Sequence, residues 1–253
     1  MGGQTGEEVG AVYEPAAYVA ALSRILQMLE EPSPIGAIVS ELTESVRSVF
    51  GLAGAAVLLP TDGELTVTAA AAPVQGLERA QQRSQRGPAC EAQRRGAVVA
   101  VADLAQARGR WPEFVAAAQR MGIAATAAVP LRWDRQTLGC VDLHAVTPRP
   151  WCPGDLTAAA VLARVVAGHL ATDATLRKRQ QLTEQLENAL ASRVVIEQAK
   201  GIIAAEGAIT VDEAFDRLRR HARRHRTSVH EVAGAVVDGH LHMTPAPPGQ
   251  APR

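Results

Sequence analysis

The chain reads as an α+β protein: an N-terminal antiparallel sheet with flanking helices, a long connecting helix, and a C-terminal three-helix bundle. Three observations predict this. Two pairs of β-favouring runs are each joined by a turn signal, which points to antiparallel hairpins. Helical periodicity brackets those hairpins on both sides. Beyond Leu170 no proline or glycine interrupts a helical pattern until Gly201.

In chain order, the first 13 or so residues are rich in Gly and Glu and are expected to be loose. In "PAAYVAALSRILQMLEE", Tyr18, Leu22, Ile25 and Leu29 recur at helical spacing, and Pro15 is placed to start the helix. After Pro34 a second stripe runs through Ile35, Ile38, Val39, Leu42, Val46 and Phe50. "AGAAVLLP" and "LTVTAAAA" flank Asp62-Gly63, a strong hairpin signal. "GAVVAVADL" predicts a strand, and "WPEFVAAAQRMG" a short helix that Gly122 stops. "ATAAVPLRW" and "QTLGCVDLHAV" form a second hairpin around Asp134. The Pro-rich "TPRPWCPG" then precedes renewed helical periodicity from Asp155.

The helix from Leu170 to about Glu206 carries Leu176, Thr183, Leu186, Leu190, Val194 and Glu197 with an a/d-like drift, broken by polar positions. Two more helices open on capping boxes, Thr210 with Glu213 and Ser228 with Glu231, in which hydroxyl and carboxylate each satisfy an unpaired backbone donor. The closing "TPAPPGQAPR" has a composition that predicts disorder. These shifts divide the chain into a disordered 1–14, an α+β domain 15–172, a coiled-coil-like helical linker 173–191, a bundle 192–243 and a disordered tail 244–253.

Lys plus Arg equals Asp plus Glu at 26 each, so the chain carries no net charge as a whole. That average hides "RLRRHARRHR", Arg217–Arg226, with six arginines, two histidines and no acid. On a helix starting after Thr210, Phe215, Leu218 and Ala222 share one stripe, and Arg217, Arg219, Arg220, Arg223 and Arg224 cover the opposite half. Acids near the helix start and arginines near its end also suit the helix dipole. Asp216 lies within i,i+3 and i,i+4 reach of Arg219 and Arg220. One or two arginines would serve that purpose, whereas six repel one another. The composition therefore favours a polyanion-binding face over a merely solvated one. Short basic helices suit a DNA groove as well as RNA, and residue types alone leave both open.

Other chemistry is weakly signalled. Cys90, Cys140 and Cys152 are an odd count without paired spacing, which suggests reduced thiols and a cytoplasmic protein. The N-terminus has no signal-peptide pattern, and the apolar runs fall short of the roughly 20 residues a membrane span needs, so no membrane is expected. No P-loop, GxGxxG or GxSxG motif is present, and Asp103 and Asp142 stand as scattered carboxylates. An enzyme is not expected, nor a cofactor. His221, His225, His230, His240 and His242 invite a metal or pH-switch reading, but no completing ligands stand at zinc-site spacing, so no metal is expected.

Residues Ser192–Val237, "SRVVIEQAKGIIAAEGAITVDEAFDRLRRHARRHRTSVHEVAGAVV", resemble an ANTAR domain, the RNA-binding module of transcription antitermination regulators. Ile196-Glu197-Gln198-Ala199-Lys200-Gly201, Glu213-Ala214-Phe215, Leu218-Arg219 and Val232-Ala233 carry the likeness. The resemblance implies a three-helix bundle acting in pairs on RNA stem-loops, with Lys200, Arg219 and Arg220 at basic positions of the family. Arg223, Arg224 and Arg226 extend the same basic face as candidate RNA contacts. The chain departs from the family at Arg226-Thr227, where Asn and a basic residue are usual, and at Ile203-Ala204, where a Met is frequent.

Upstream, "GPACEAQRRGAVVAVADLA", "RWPEFVAAAQRMGI" and "AVPLRWDRQTLGCVDLHA" resemble a GAF domain of the kind preceding ANTAR in actinobacterial regulators. This implies a sensor for a small-molecule ligand or a redox state. Cys90 is its candidate sensing residue, set against the blander reading of a buried, inert thiol. The expected partners are therefore RNA stem-loops, a GAF ligand, and a second copy of the chain paired through the linker and the Tyr18–Leu29 helix.

Overall fold

The computed structural model describes residues 13–30 and 33–243, so of the disorder expected at 1–14 and 244–253 only residues 13–14 can be compared, and there Tyr13 packs against the core; the rest lies outside the described residues. The chain divides into two compact units, Met1–Thr175 and Leu176–Arg253.

The first unit is built on a five-stranded antiparallel sheet of order β2-β1-β5-β4-β3. Its strands are β1 Gly54–Thr61, β2 Glu64–Ala70, β3 Val99–Val101, β4 Ala125–Trp133 and β5 Gln136–Ala145. Both expected hairpins form. Asp62 and Gly63 have φ of 52° and 86°, the pair of left-handed residues that a type I′ turn requires. β3 keeps only three residues of its expected run, because the chain turns into a 3₁₀ segment at Leu104–Ala107, where Asp103 accepts the Ala105 N–H.

Each face of the sheet is covered. Helices α1 Pro15–Glu30 and α2 Ile35–Val49, with the first part of a long later helix, bury Ile25, Ile38, Leu42, Leu162 and Val166 against Ala55, Val57, Ala127, Val129, Val141 and Leu143. Three helices cover the other face: α3 Gln75–Ser84, α4 Pro88–Arg95 and α5 Pro112–Arg120. They pack Leu77, Ala89, Cys90 and Phe114 against Ala56, Leu58, Ala128 and Cys140. The period-two alternation of strands sorts neighbours to opposite cores, so Val141 and Leu143 face one way and Cys140 the other. With aromatics at 3% of the chain, Ala, Val and Leu fill both layers.

α3 and α4 stand where the sequence shows no helical stripe. α3 reads "QGLERAQQRS", and it buries Glu78 and Gln81 beside Leu77 and Ala80, so its inward face is half polar and escapes an apolar-period test. The Tyr18–Leu29 helix also differs from expectation. Ala21 and Ile25 are buried and Tyr18, Leu22 and Leu29 pack against the same core, so this stripe is used within the protomer rather than left for a partner.

The expected two helical segments after the Pro-rich loop are one helix, α6, Pro153–Gly207. One 18-residue window of α6 reaches a mean hydropathy of 1.2, enough by length and composition to cross a membrane, but half of it is buried inside the protein. Its first part supplies the Ala158–Leu170 face of the sheet unit.

The second unit contains the rest of α6, α7 Val211–His225 and α8 Val229–Val237. Ala199 and Ile203 of α6 pack on Ala214, Leu218 and Ala222 of α7 and on Val232, Ala233 and Val236 of α8. Both capping boxes are formed. Arg226 ends α7 in the left-handed region at φ 53°, which turns the chain sharply into the cap of α8.

Candidate nucleic-acid interface

The basic segment occupies the last two and a half turns of α7 and its C-cap. Leu218 and Ala222 are buried, which turns Arg219, Arg220, Arg223 and Arg224 to solvent, and Arg226 is exposed at the cap. The i,i+3 and i,i+4 ion pairs allowed by spacing do not form. Arg220 Nε donates instead to the backbone carbonyl of Asp216 at 3.3 Å. Among the described residues no ion pair holds any of these five guanidinium groups, so they repel one another uncompensated.

The arginines fall into two groups. Arg217, Arg220 and Arg224, spaced i, i+3 and i+7, line an open cleft of about 670 Å³ with His221, His225, His242 and Met243. Arg217 is the residue that the list of expected contacts leaves out. Its Nη1 is buried without a hydrogen-bond partner among the described residues, an unusual condition for so strong a donor. Its place on the basic half of the helix was the available signal. His221 and His225 stack at 4.3 Å between ring centroids. Burial, then the neighbouring His225 and Arg224, lowers the pKa of His221, which disfavours its charged form in the cleft.

The second group surrounds Phe215. This ring is half-buried rather than fully inward, with Arg219 lying 5.0 Å and Lys200 5.4 Å from its centroid. Lys200 also donates to both Glu197 carboxylate oxygens at 2.9 Å, and its side chain is only 14% exposed. Lys200 is thus a tethered cation that holds Arg219's platform, while the arginines of α7 are the free charges. Arg223 and Arg226 are exposed and belong to neither group.

The cap that follows α7 has its own electrostatics. Glu231 takes hydrogen bonds from the Thr227 hydroxyl and from the backbone N–H and hydroxyl of Ser228. These donors, Thr227 first, pull its carboxyl down to about 2. A depressed acid contributes stability that is present above its ordinary pKa of 4.5 and lost as pH falls through 2. The start of α8 is therefore expected to fray between about pH 4.5 and 2, and Glu231→Gln is expected to remove that step; NMR shifts of Ser228–Val232 report it.

Cys90, the candidate sensing residue, is buried on α4. Burial first, then the Asp142 carboxylate, pushes its thiol up to about 11, which keeps it protonated and a poor nucleophile.

The chain thus combines a covered antiparallel sheet with a small helical bundle whose exposed face is basic. Family comparison gives these their names. The GAF domain model matches residues 34–170, more than half of the chain, and the ANTAR domain model matches residues 184–237. The chain belongs to the GAF domain family and carries an ANTAR domain after it, so it is a GAF-coupled ANTAR regulator.

None of the curated proteins matches the chain. Among solved structures, a domain described as part of a two-component sensor histidine kinase from Sinorhizobium meliloti is 17% identical with TM-score 0.51, covering 59% of this chain and 99% of that one. The GAF domain of a phosphoenolpyruvate-protein phosphotransferase from Coxiella burnetii is 14% identical with TM-score 0.51, covering 64% and 98%. Free methionine-R-sulfoxide reductase from Neisseria meningitidis is 17% identical with TM-score 0.51, covering 64% and 95%. At these identities the likeness is one of fold.

Proposed function

We propose that the protein is a cytoplasmic RNA-binding antitermination regulator. Its ANTAR bundle grips stem-loops of nascent transcripts, and its GAF domain reads a ligand that sets this activity. One observation carries the reading: Arg219, Arg220, Arg223, Arg224 and Arg226 are exposed along α7 and its cap, and none is in an ion pair with an acid among the described residues. Family membership supports RNA as the polyanion, since ANTAR domains are the RNA-binding modules of such regulators. Guanidinium groups suit a folded RNA loop because they pair with phosphates and stack on splayed bases. The cleft around Arg217, Arg220 and Arg224 offers a concave phosphate seat, and Phe215 with Arg219 offers a half-exposed stacking surface.

The stalk supports action in pairs. Leu176, Leu182, Leu186, Leu190 and Val194 of α6 are each at least half exposed, a run of apolar residues that a second α6 would cover. A dimer presenting two basic bundles would engage two stem-loops at once.

Binding should be largely electrostatic. With all five exposed arginines on phosphates, log Kd against log salt is expected to change by about 0.7 per contact, or roughly 3.5 in all. Titration of a hairpin RNA at several salt concentrations measures this. A slope near zero would contradict the reading, and run-off transcription through a terminator preceded by the hairpins would show whether binding yields readthrough.

A further inference from the structure

Between α3 and β5 lies a polar cluster that the antitermination reading does not use. Glu78, Gln81, Thr126, Asp142 and His144 are all 0% exposed, inside an otherwise apolar layer. β5 places Asp142 and His144 on the face away from Val141 and Leu143. Their cross-strand partners are small, Ala56 and Ala128 beside Asp142, Gly54 and Thr126 beside His144, which leaves room for polar groups. α3 brings Glu78 and Gln81 over them, and a Cβ at Gly87 would collide with the Gln81 amide.

The amide of Gln81 is fixed at both ends. Its Oε1 accepts the Ala89 N–H at 2.9 Å, so its Nε2 donates to Glu78 Oε2 at 2.8 Å and to Asp142 Oδ2 at 2.7 Å. One oxygen of each carboxylate is thereby held by Gln81. Glu78 Oε1 lies 2.6 Å from His144 Nε2, and Thr126 Oγ1 lies 3.1 Å from His144 Nδ1. Asp142 Oδ1 has no partner although it is fully buried. No lysine or arginine forms an ion pair with either carboxylate among the described residues. His144 can supply one positive charge when protonated, which leaves two buried acids sharing a single cation, a costly arrangement. Burial and the neighbouring Glu78 accordingly push the Asp142 carboxyl well above the carboxylate range.

We infer that Glu78, Asp142 and His144 form a binding site for a divalent transition-metal ion, one donor atom from each residue lying within 4.8 Å of the others. Two oxygens and one imidazole nitrogen fit Mn²⁺ or Fe²⁺ better than a thiolate-seeking ion. The ion would neutralise both acids and satisfy Asp142 Oδ1. Donors at about 2.1 Å from one metal stand about 3 Å apart, so loading replaces the His144–Glu78 hydrogen bond with two metal bonds and parts those atoms slightly. Thr126 serves either state, because its hydroxyl can donate to Nδ1 or accept from it. Gln81 supplies the outer hydrogen bonds that orient both carboxylates. This site lies within the sensor fold and stands or falls independently of RNA binding.

The test uses the full chain stripped with a chelator and titrated with Mn²⁺, free ion being read by EPR. Mn²⁺ is the probe because surface histidines such as His225 hold it weakly. One ion per chain and a rise in melting temperature are expected. Asp142→Asn and His144→Gln, checked for cooperative melting, are expected to weaken Mn²⁺ binding by at least about 100-fold, and Thr126→Val by about 10-fold. His221→Ala with His225→Ala is expected to leave it unchanged. Pulsed EPR of the loaded wild-type chain is expected to show coupling to one imidazole nitrogen, a readout that survives any failure of a variant to fold. No stoichiometric ion on the wild-type chain, no nitrogen coupling, or binding undiminished in the folded Asp142 and His144 variants would overturn the site.

Discussion

Replacing Arg219, Arg220, Arg223 and Arg224 together by alanine is expected to weaken stem-loop RNA binding by at least about a hundredfold while leaving the bundle folded. A hydrogen bond to a charged group contributes roughly 1.5–3 kcal/mol. Loss of only two such contacts removes about 3 kcal/mol or more, on the order of a hundredfold in affinity. Folding should be spared because all four side chains are exposed and none is in an ion pair among the described residues. Relief of their mutual repulsion should even favour the helix slightly. Gel shift and circular dichroism on the same variant read both outcomes. Unchanged RNA affinity would mean that these arginines only solubilise the helix.

Leu218→Ala is expected to have the largest effect on stability. Leu218 is fully buried at the centre of the second unit, between Ala199 and Ile203 of α6 and Val232 and Ala233 of α8. Removing a buried leucine side chain costs about 2–5 kcal/mol, the lost transfer term plus the cavity left behind. A unit with eight buried core residues has little stability in reserve. The variant is expected to lose α7 and α8 at 25 °C and to bind no RNA, while the GAF sheet, whose core contains none of these residues, still melts cooperatively. Limited proteolysis should then cut within 208–243 and spare 34–170. A variant with wild-type melting in both units would show that Leu218 is not the keystone its burial suggests.

Much of this was legible beforehand where local chemistry is self-sufficient. Asp62-Gly63 fixes a hairpin because few residues other than Gly, Asn and Asp tolerate its backbone, and the paired Thr/Glu and Ser/Glu boxes mark two helix starts within a residue. The basic face followed from turning α7 by 100° per residue. What could not be read was anything made by long-range packing of polar groups. α3 hides because its inward face carries Glu78 and Gln81, so the pattern that marks a helix is missing where the helix is most distinctive. Asp142, a scattered carboxylate in the sequence, is in fact a partner of Gln81, 61 residues away. Glu78 and His144 meet across 66 residues, a juxtaposition that only the pairing of β1, β4 and β5 creates. Periodicity turns Phe215 inward with Leu218 and Ala222, yet its ring edges out far enough to carry two cations.

We propose that folded RNA is what the guanidinium-lined side of α7 is kept open for. Competition at one salt concentration tests this most directly: the intact chain is bound to a labelled RNA hairpin and challenged with unlabelled hairpin or with duplex DNA of equal phosphate number. The hairpin is expected to compete at least about tenfold better, since charge alone would make the two equal. Equal competition, or a preference for the duplex, would contradict it.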